Sequence, residues 1–348
     1  MLLFVIILIL LSDFFIQISI TTPERKKTYI LIFSGIPLFL YAALRGSSVG
    51  TDTLRYINSY LINTNYKLSE MLSMIDELKD PGYQILTQVF SNVFPNPQWW
   101  LAFVAGIYTI SVFSLIKNYS PYPIISVLSF VALGYFSFSL TGLRQTVAMS
   151  IVLFSFKLIE KRKLLKFVLL ILFASLFHVS AIIFLILYPI SKARVGYKHL
   201  IIFLIAMVTL FAFQPIIRVL ISTLFSNNRL AGYADRTTSL TASGFIIQLL
   251  IFIFCIYYYY TTEEKNSRIN LLVNCSFIGL CFQMFAIMIA EMFRVSMYFS
   301  IANIVLIPIS LASEKNLQVK KVELFGILVI LIGYIFRDGI PAYAFFWN

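Results

Sequence analysis

"LLKFVLLILFASLFHVSAIIFLILYPI" covers residues 164–190, and its path through a membrane decides where everything after it lies. The run is apolar apart from Lys166, His178 and the hydroxyls of Ser175, Ser180 and Tyr188. A membrane span needs roughly 20 apolar residues, with a range of about 17–25. As one long span, the run carries the chain across the bilayer. As a hairpin or broken helix with His178 near its turn, it returns the chain to the face it left. The flanking charges separate the two. "EKRKLLK" (160–166) and "SKARVGYK" (191–198) are both basic, and basic loops gather on the cytoplasmic side. A single span would put Lys192, Arg194 and Lys198 outside, whereas a hairpin keeps both clusters inside and is preferred. Non-helical backbone at that depth is tolerated only where it is buried in protein or lines a wet cavity.

The rest of the chain has the same character. Of its 348 residues, 60% are hydrophobic and 12% charged, the latter about half the usual soluble fraction. A soluble domain could not hide that much apolar surface. The runs are long and mostly unalternated, which selects helices over a β-barrel. The net charge of +12 sits in short clusters between apolar runs, so positive-inside bias explains most of it and nucleic-acid binding is not expected. Cys255, Cys275 and Cys281 all lie in apolar runs without a CxxC, and His178 and His199 are far apart in sequence. Neither a metal site nor a disulfide is indicated. "MLLFVIILILLSDFFIQISI" lacks a basic n-region and a small-residue cleavage site, and is read as a retained first span.

Candidate spans are 2–20, 28–44, 98–116, 122–142, 145–159, 199–222, 244–261, 269–290, 294–312 and 322–340. Residues 83–94, short and followed by Pro95, are open to a spanning or a re-entrant reading, and 45–97 stay outside if they are interfacial or re-entrant; 57–82 suit one amphipathic helix on the outer surface. The expectation is an all-α polytopic integral membrane protein of roughly 10–12 transmembrane or re-entrant helices, in one membrane-embedded domain over 1–348. Putting "PERKK" (23–27), "EEKNSR" (263–268) and "SEKNLQVKK" (313–321) in the cytoplasm with the other two clusters places loops 45–97 and 223–243 outside.

Arg45, Arg55, Arg144, Arg229, Arg236, Arg294 and Arg337 then fall at outer span ends or in outer loops, against the bias. Arginines in such places are costly unless paired or used. Four constellations carry them. In "LRGSSVGTDTLRY" (44–56), Asp52 can accept a proton or cap the following helix. In "TGLRQTVAMS" (141–150), Arg144 and Gln145 open a helix whose free N–H groups suit a phosphate; the plainer role is a snorkelling anchor. In "LFHVS" (176–180), His178 is a packing residue unless the hairpin puts it at a break, where an imidazole can serve as a base. In "AEMFRVSMYF" (290–299), Glu291 and Arg294 can pair or act, with Tyr298 one turn on. "IFRDGIPAY" (335–343) repeats the charge pair with Arg337 and Asp338, and "YYYY" (257–260) fits an interfacial aromatic belt. No Walker A, GxGxxG or DxD-type soluble glycosyltransferase domain is seen.

The ordered set of motifs resembles the EpsG family, the Wzy-type polymerases of bacterial surface polysaccharides. The matching residues are Arg45, Gly50, Thr51, Asp52 and Tyr56; Asp80, Gly82 and Tyr83; Arg144, Gln145 and Ala148; Phe177, His178 and Ser180; then Tyr233, Arg294 and Tyr298. Asp80 stands where the family pattern has glutamate, and it is left outside the candidate site. The resemblance implies a glycosyltransferase, with a GT-C-like arrangement as a candidate fold. It would join oligosaccharide repeat units carried on undecaprenyl pyrophosphate into O-antigen, capsule or exopolysaccharide. The place would be the outer (periplasmic) side of the bacterial cytoplasmic (inner) membrane, without a cofactor or metal. Its partners would be those lipid-linked oligosaccharides, membrane lipids, a chain-length regulator and a flippase. Arg45, Arg144, Gln145, Arg294 and Arg337 would bind the pyrophosphate, since guanidinium suits phosphate bidentately. Asp52, ahead of His178 and Glu291, would take the acceptor's proton. Tyr56, Tyr83, Tyr233 and Tyr298 would contact sugars, with Trp99 and Trp100 as further aromatics.

Two other classes compete. A lipid-linked oligosaccharide flippase or exporter should show a repeated two-half architecture, and none is seen. A membrane O-acyltransferase acting on polysaccharide needs a histidine reached from the cytoplasm, opposite to the side assigned to His178. Cysteine labelling or reporter fusions should place residues 45–82 and 225–243 outside the cytoplasm; a cytoplasmic signal at either would break this topology.

Overall fold

The structure is a computed structural model and describes residues 1–213, 216, 242–262, 266–336 and 342–347. Arg229, Tyr233, Arg236, Arg337 and Asp338 lie outside the described residues, with nearly all of loop 223–243 and the far ends of the expected spans 199–222 and 322–340. Among the described residues all regular elements are helical, apart from one isolated bridge between Arg45 and Phe345. A bilayer offers backbone groups no water to bond, and a helix satisfies them internally.

In chain order the first helices are α1 (Leu2–Ser19), α2 (Pro23–Ala43), α3 (Thr53–Asn63), α4 (Leu68–Ser73), α5 (Pro81–Val93) and α6 (Pro97–Tyr119). Next come α7 (Pro123–Ala132), α8 (Tyr135–Thr141), α9 (Leu143–Glu160), α10 (Leu164–Ser175), α11 (Leu187–Ile190) and α12 (Tyr197–Ala212). The last are α13 (Ser243–Thr261), α14 (Ser267–Phe285), α15 (Met292–Ser300), α16 (Asn303–Ser313) and α17 (Leu317–Phe336). Four of them, α2, α5, α6 and α7, open on a proline, whose missing N–H costs nothing in a first turn. Asn96 caps α6 by accepting from the Gln98 N–H at 2.9 Å, and Asn266 caps α14 in the same way through Ile269.

α1, α6, α13 and α14 are each long and apolar enough to cross a membrane. The pairs α7–α8, bent by 48°, and α15–α16, bent by 44°, qualify as broken spans. The first bend falls at Gly134, whose φ of +83° suits glycine. The chain is thus an all-α polytopic membrane protein. The run 164–190 is interrupted: α10 stops at Ser175, and a 3-10 helix over Val179–Ile186 follows. The polar stretch 57–82 does not form one amphipathic helix. It forms α3, α4 and a 3-10 turn at Ile75–Glu77. Thr64 turns its hydroxyl onto the Leu61 carbonyl at 2.6 Å, and α4 starts afresh where Glu70 accepts the Lys67 N–H at 2.9 Å. Short polar side chains that bond local backbone compete with the helix in this way.

The described residues form two compact units, residues 1–182 with 314–348, and residues 183–313. In the first, α2 packs on α1 and α6, α9 packs on α6 and α10, and α17 packs on α7. In the second, α14 packs on α13 and α15, and α13 also packs on α16. The α14–α15 contact closes at Gly279, where an added Cβ would sit 2.8 Å from the Ser300 nitrogen. Small residues let membrane helices approach this closely. Gly279→Val should therefore cost about 1–3 kcal/mol of stability through overpacking. At Gly326 in α17 an added Cβ meets nothing within 4 Å, so Gly326→Ala should be neutral or stabilise by about 0.5–1 kcal/mol. Thermal unfolding in detergent checks both, and equal shifts would contradict the packing.

Candidate functional site

The site is built on "KDPGYQ" (79–84). A residue before proline is pushed out of the right-handed helical region, and aspartate is one of the few that tolerates the left-handed one. Asp80 adopts it, with φ 57° and ψ 63°. Its carboxylate makes no cap bond to α5. Instead it accepts from Arg144 Nη1 at 3.1 Å and, weakly, from the Val179 N–H at 3.4 Å. His178 Nδ1 faces the same oxygen, Oδ2, at 3.7 Å, an electrostatic contact longer than a hydrogen bond. Two residues on, the Gly82 N–H donates to the Leu176 carbonyl at 2.9 Å. A Cβ on Gly82 would lie 2.7 Å from the Leu176 Cβ, so only glycine lets the start of α5 seat in the break of the 164–190 run. That break leaves His178 outside any helix.

Burial differs across the three groups. The Asp80 side chain is 2% exposed, that of Arg144 25% and that of His178 19%. Burial alone would raise the Asp80 carboxyl's pKa. The facing His178 imidazole and Arg144 guanidinium outweigh it and hold the carboxyl below its ordinary value. Arg144 sits in the first turn of α9, its guanidinium 5.6 Å from the centre of the Tyr83 ring. Its Nε is buried with no hydrogen-bond partner among the described residues. The Tyr83 hydroxyl accepts from Trp100 Nε1 at 3.1 Å. The Tyr56 ring meets that of Tyr83 edge-on at 6.0 Å, and Tyr60 stacks on Trp100 at 6.2 Å. The charged group thus has an aromatic wall beside it.

The other candidates differ in their surroundings. Gln145 is buried in α9. Asp52 occupies the N-cap of α3 half-buried, without a side-chain cap hydrogen bond. Arg45 is 1% exposed. Its Nη1 donates to the Ala42 carbonyl at 2.5 Å and its Nη2 to the Leu140 carbonyl at 3.4 Å, at the ends of α2 and α8. Cations are favoured at helix C-termini. The neighbouring backbone is tied down as well: the Gly46 N–H donates to the Ala344 carbonyl at 2.8 Å and the Phe346 N–H to the Leu44 carbonyl at 3.1 Å. Thr53 adds a bond to the Leu140 carbonyl at 3.1 Å. The stretch 44–56 is therefore a buttress behind the α8–α9 turn that presents Arg144. Glu291, Arg294 and Tyr298 belong to the second unit. There Glu291 Oε2 is buried with no hydrogen-bond partner among the described residues, Arg294 is exposed beside the Phe293 ring, and Tyr298 is buried.

Asp80 is the residue that sequence reasoning passed over. Its signal was present: an aspartate before Pro81 with glycine at the next position is a turn that aims a carboxylate inward.

Four helices long and apolar enough to cross a membrane, with two bent pairs that qualify as broken spans, define the chain as a multi-pass membrane protein, and a buried carboxylate in it joins an arginine to a histidine. The sequence model of the EpsG family matches residues 27–347. The chain belongs to the EpsG family, which places it among the enzymes of polysaccharide biosynthesis. No curated protein and no solved structure gives a significant match.

Because the folded Asp80 pKa lies below the unfolded value of about 3.9, its pairing contributes stability above that value. The contribution is lost only as pH falls through the folded pKa. Thermal unfolding of Asp80→Asn in detergent should fall short of wild type by about 1–3 kcal/mol at pH 7 and equally at pH 5. The gap should close only in stronger acid; a gap already closed at pH 5 would refute the lowered carboxyl.

Proposed function

We propose that the chain is a polymerase of surface polysaccharide, joining oligosaccharide repeat units carried on undecaprenyl pyrophosphate at the outer face of a bacterial cytoplasmic membrane. The observation that carries this is the Asp80 carboxylate, which holds Arg144 and His178 together beside an aromatic wall. The growing chain is the donor. A hydroxyl of the incoming repeat unit forms the new C–O bond at its anomeric carbon, the bond to the lipid pyrophosphate breaks, and the hydroxyl proton passes to a base. The activated bond is already in the lipid carrier, so no nucleotide is needed.

Each residue has a distinct task in that step. The leaving pyrophosphate gains charge, and a fixed guanidinium in a semi-dry site stabilises it better than water does. Arg144 has one donor on Asp80 and others left for phosphate oxygens. His178 is the base: with Nδ1 toward Asp80, its Nε2 is free to meet a hydroxyl. This reverses the order expected from sequence, where Asp52 came first. Asp80 is too buried to reach a sugar and acts by orienting both partners. Tyr56 offers a ring for sugar, while Tyr83, 4% exposed and enclosed by Arg144, Tyr56 and Trp100, backs it and cannot itself meet a sugar as expected from sequence. A flippase delivering repeat units and a chain-length regulator are the expected partners.

Arg144→Ala should lower polymer synthesis by at least about 10²-fold while the protein still inserts in the membrane, and Arg144→Lys should recover only part, because it loses the bidentate fork. Near-normal chain length in Arg144→Ala would sink the pyrophosphate role. A deletion strain should accumulate single-repeat glycolipid on the outer leaflet. Accumulation on the inner leaflet would identify a flippase instead.

A further inference from the structure

The second unit contains a cavity of about 360 Å³ with a mainly apolar lining. Ile190, Ile278, Phe277, Phe282 and Phe285 wall it. Arg194 and His199 stand at its edge. Arg194 belongs to the basic loop 191–198, which also carries Lys192 and Lys198 and has no acidic residue.

That loop is built, not merely tethered. The Asn274 amide donates to the Ala193 carbonyl at 2.8 Å, the Tyr260 hydroxyl to the Val195 carbonyl at 2.6 Å, and Asn270 reaches the Lys192 carbonyl at 3.5 Å. Asn270 is itself held by the Tyr259 hydroxyl at 2.8 Å. Side chains from α13 and α14 thus capture three successive stretches of loop backbone. The Tyr197 ring lies flat on Tyr260, 5.4 Å away and 4° from parallel. Stacked tyrosines at helix ends mark the level of lipid headgroups. The Gly196 N–H donates to His199 Nδ1 at 3.1 Å, which leaves the other ring nitrogen toward solvent, and α12 begins here with its positive end.

We infer that this cavity binds an anionic phospholipid, one acyl chain lying among the phenylalanines and its phosphate meeting Arg194. The two halves of the cavity fit no other simple occupant as well. A sugar or a free phosphate would leave the aromatic walls uncovered, and a zwitterionic lipid gains little from a loop that is wholly cationic. Basic pockets between membrane helices on the cytoplasmic side recognise anionic headgroups, and the basic bias of this loop assigns it to that side. The lipid would bridge α11, the 191–198 loop and α14, and so brace the second unit.

The test uses the full-length protein, reconstituted in nanodiscs of phosphatidylcholine and phosphatidylglycerol, then released and weighed by native mass spectrometry. Phosphatidylglycerol should stay bound in preference to phosphatidylcholine. Arg194→Gln, on an exposed residue, should cut its retention about fivefold, the usual effect of one basic residue near a headgroup. Cys281→Trp, which fills the cavity without touching the charge, should also release it. Equal retention of the two lipids, or retention unchanged by Arg194→Gln, would overturn the assignment. Displacement by millimolar inorganic phosphate, or preferred retention of added polyprenyl phosphate, would assign the cavity to a different ligand. None of these readouts depends on polymer synthesis.

Discussion

A carboxylate withdrawn from water is tolerated only if other charges hold it there. Asp80 meets that condition with the Arg144 guanidinium, and the His178 imidazole faces the same oxygen. The requirement organises the first unit. It brings the opening turn of α9 to the opening turn of α5, and it seats both against the interruption of the 164–190 run. Had that run continued as a helix, His178 would lie on a helical face and the Leu176 carbonyl would be spent on its own ladder. The interruption frees the carbonyl, and Gly82 takes it. One pairing therefore accounts for a left-handed aspartate, a glycine in steric contact and a broken apolar segment.

The arginines that the expected topology sets against the positive-inside bias do not share one setting. Arg144 keeps part of its surface and an unused Nε. Arg45 is enclosed and its donors end on helix carbonyls. A guanidinium whose donors end on helix carbonyls serves the scaffold; one that faces a carboxylate with donors to spare is left able to meet a ligand. Position in the topology grouped them, and local hydrogen bonding separates them.

Apolar periodicity made the helices legible, because backbone in lipid has few alternatives. The interruption near His178 was legible as well, from the basic clusters that flank the run on both sides. Three things were not. The stretch 57–82 scored as one amphipathic face, while Thr64 and Glu70 redirect local hydrogen bonds that periodicity ignores. The burial of Arg45 depends on residues 344–346, remote in sequence. Asp80 meets partners 64 and 99 positions away, and no local pattern encodes which arginine a carboxylate will find.

Tyr343 bonds the Tyr41 carbonyl across 302 positions of chain, and its neighbours close the backbone around Arg45. Residues 183–313 form their own unit between these two segments. During synthesis the α2 end must therefore wait, with its buttress incomplete, until the whole intervening unit has been inserted.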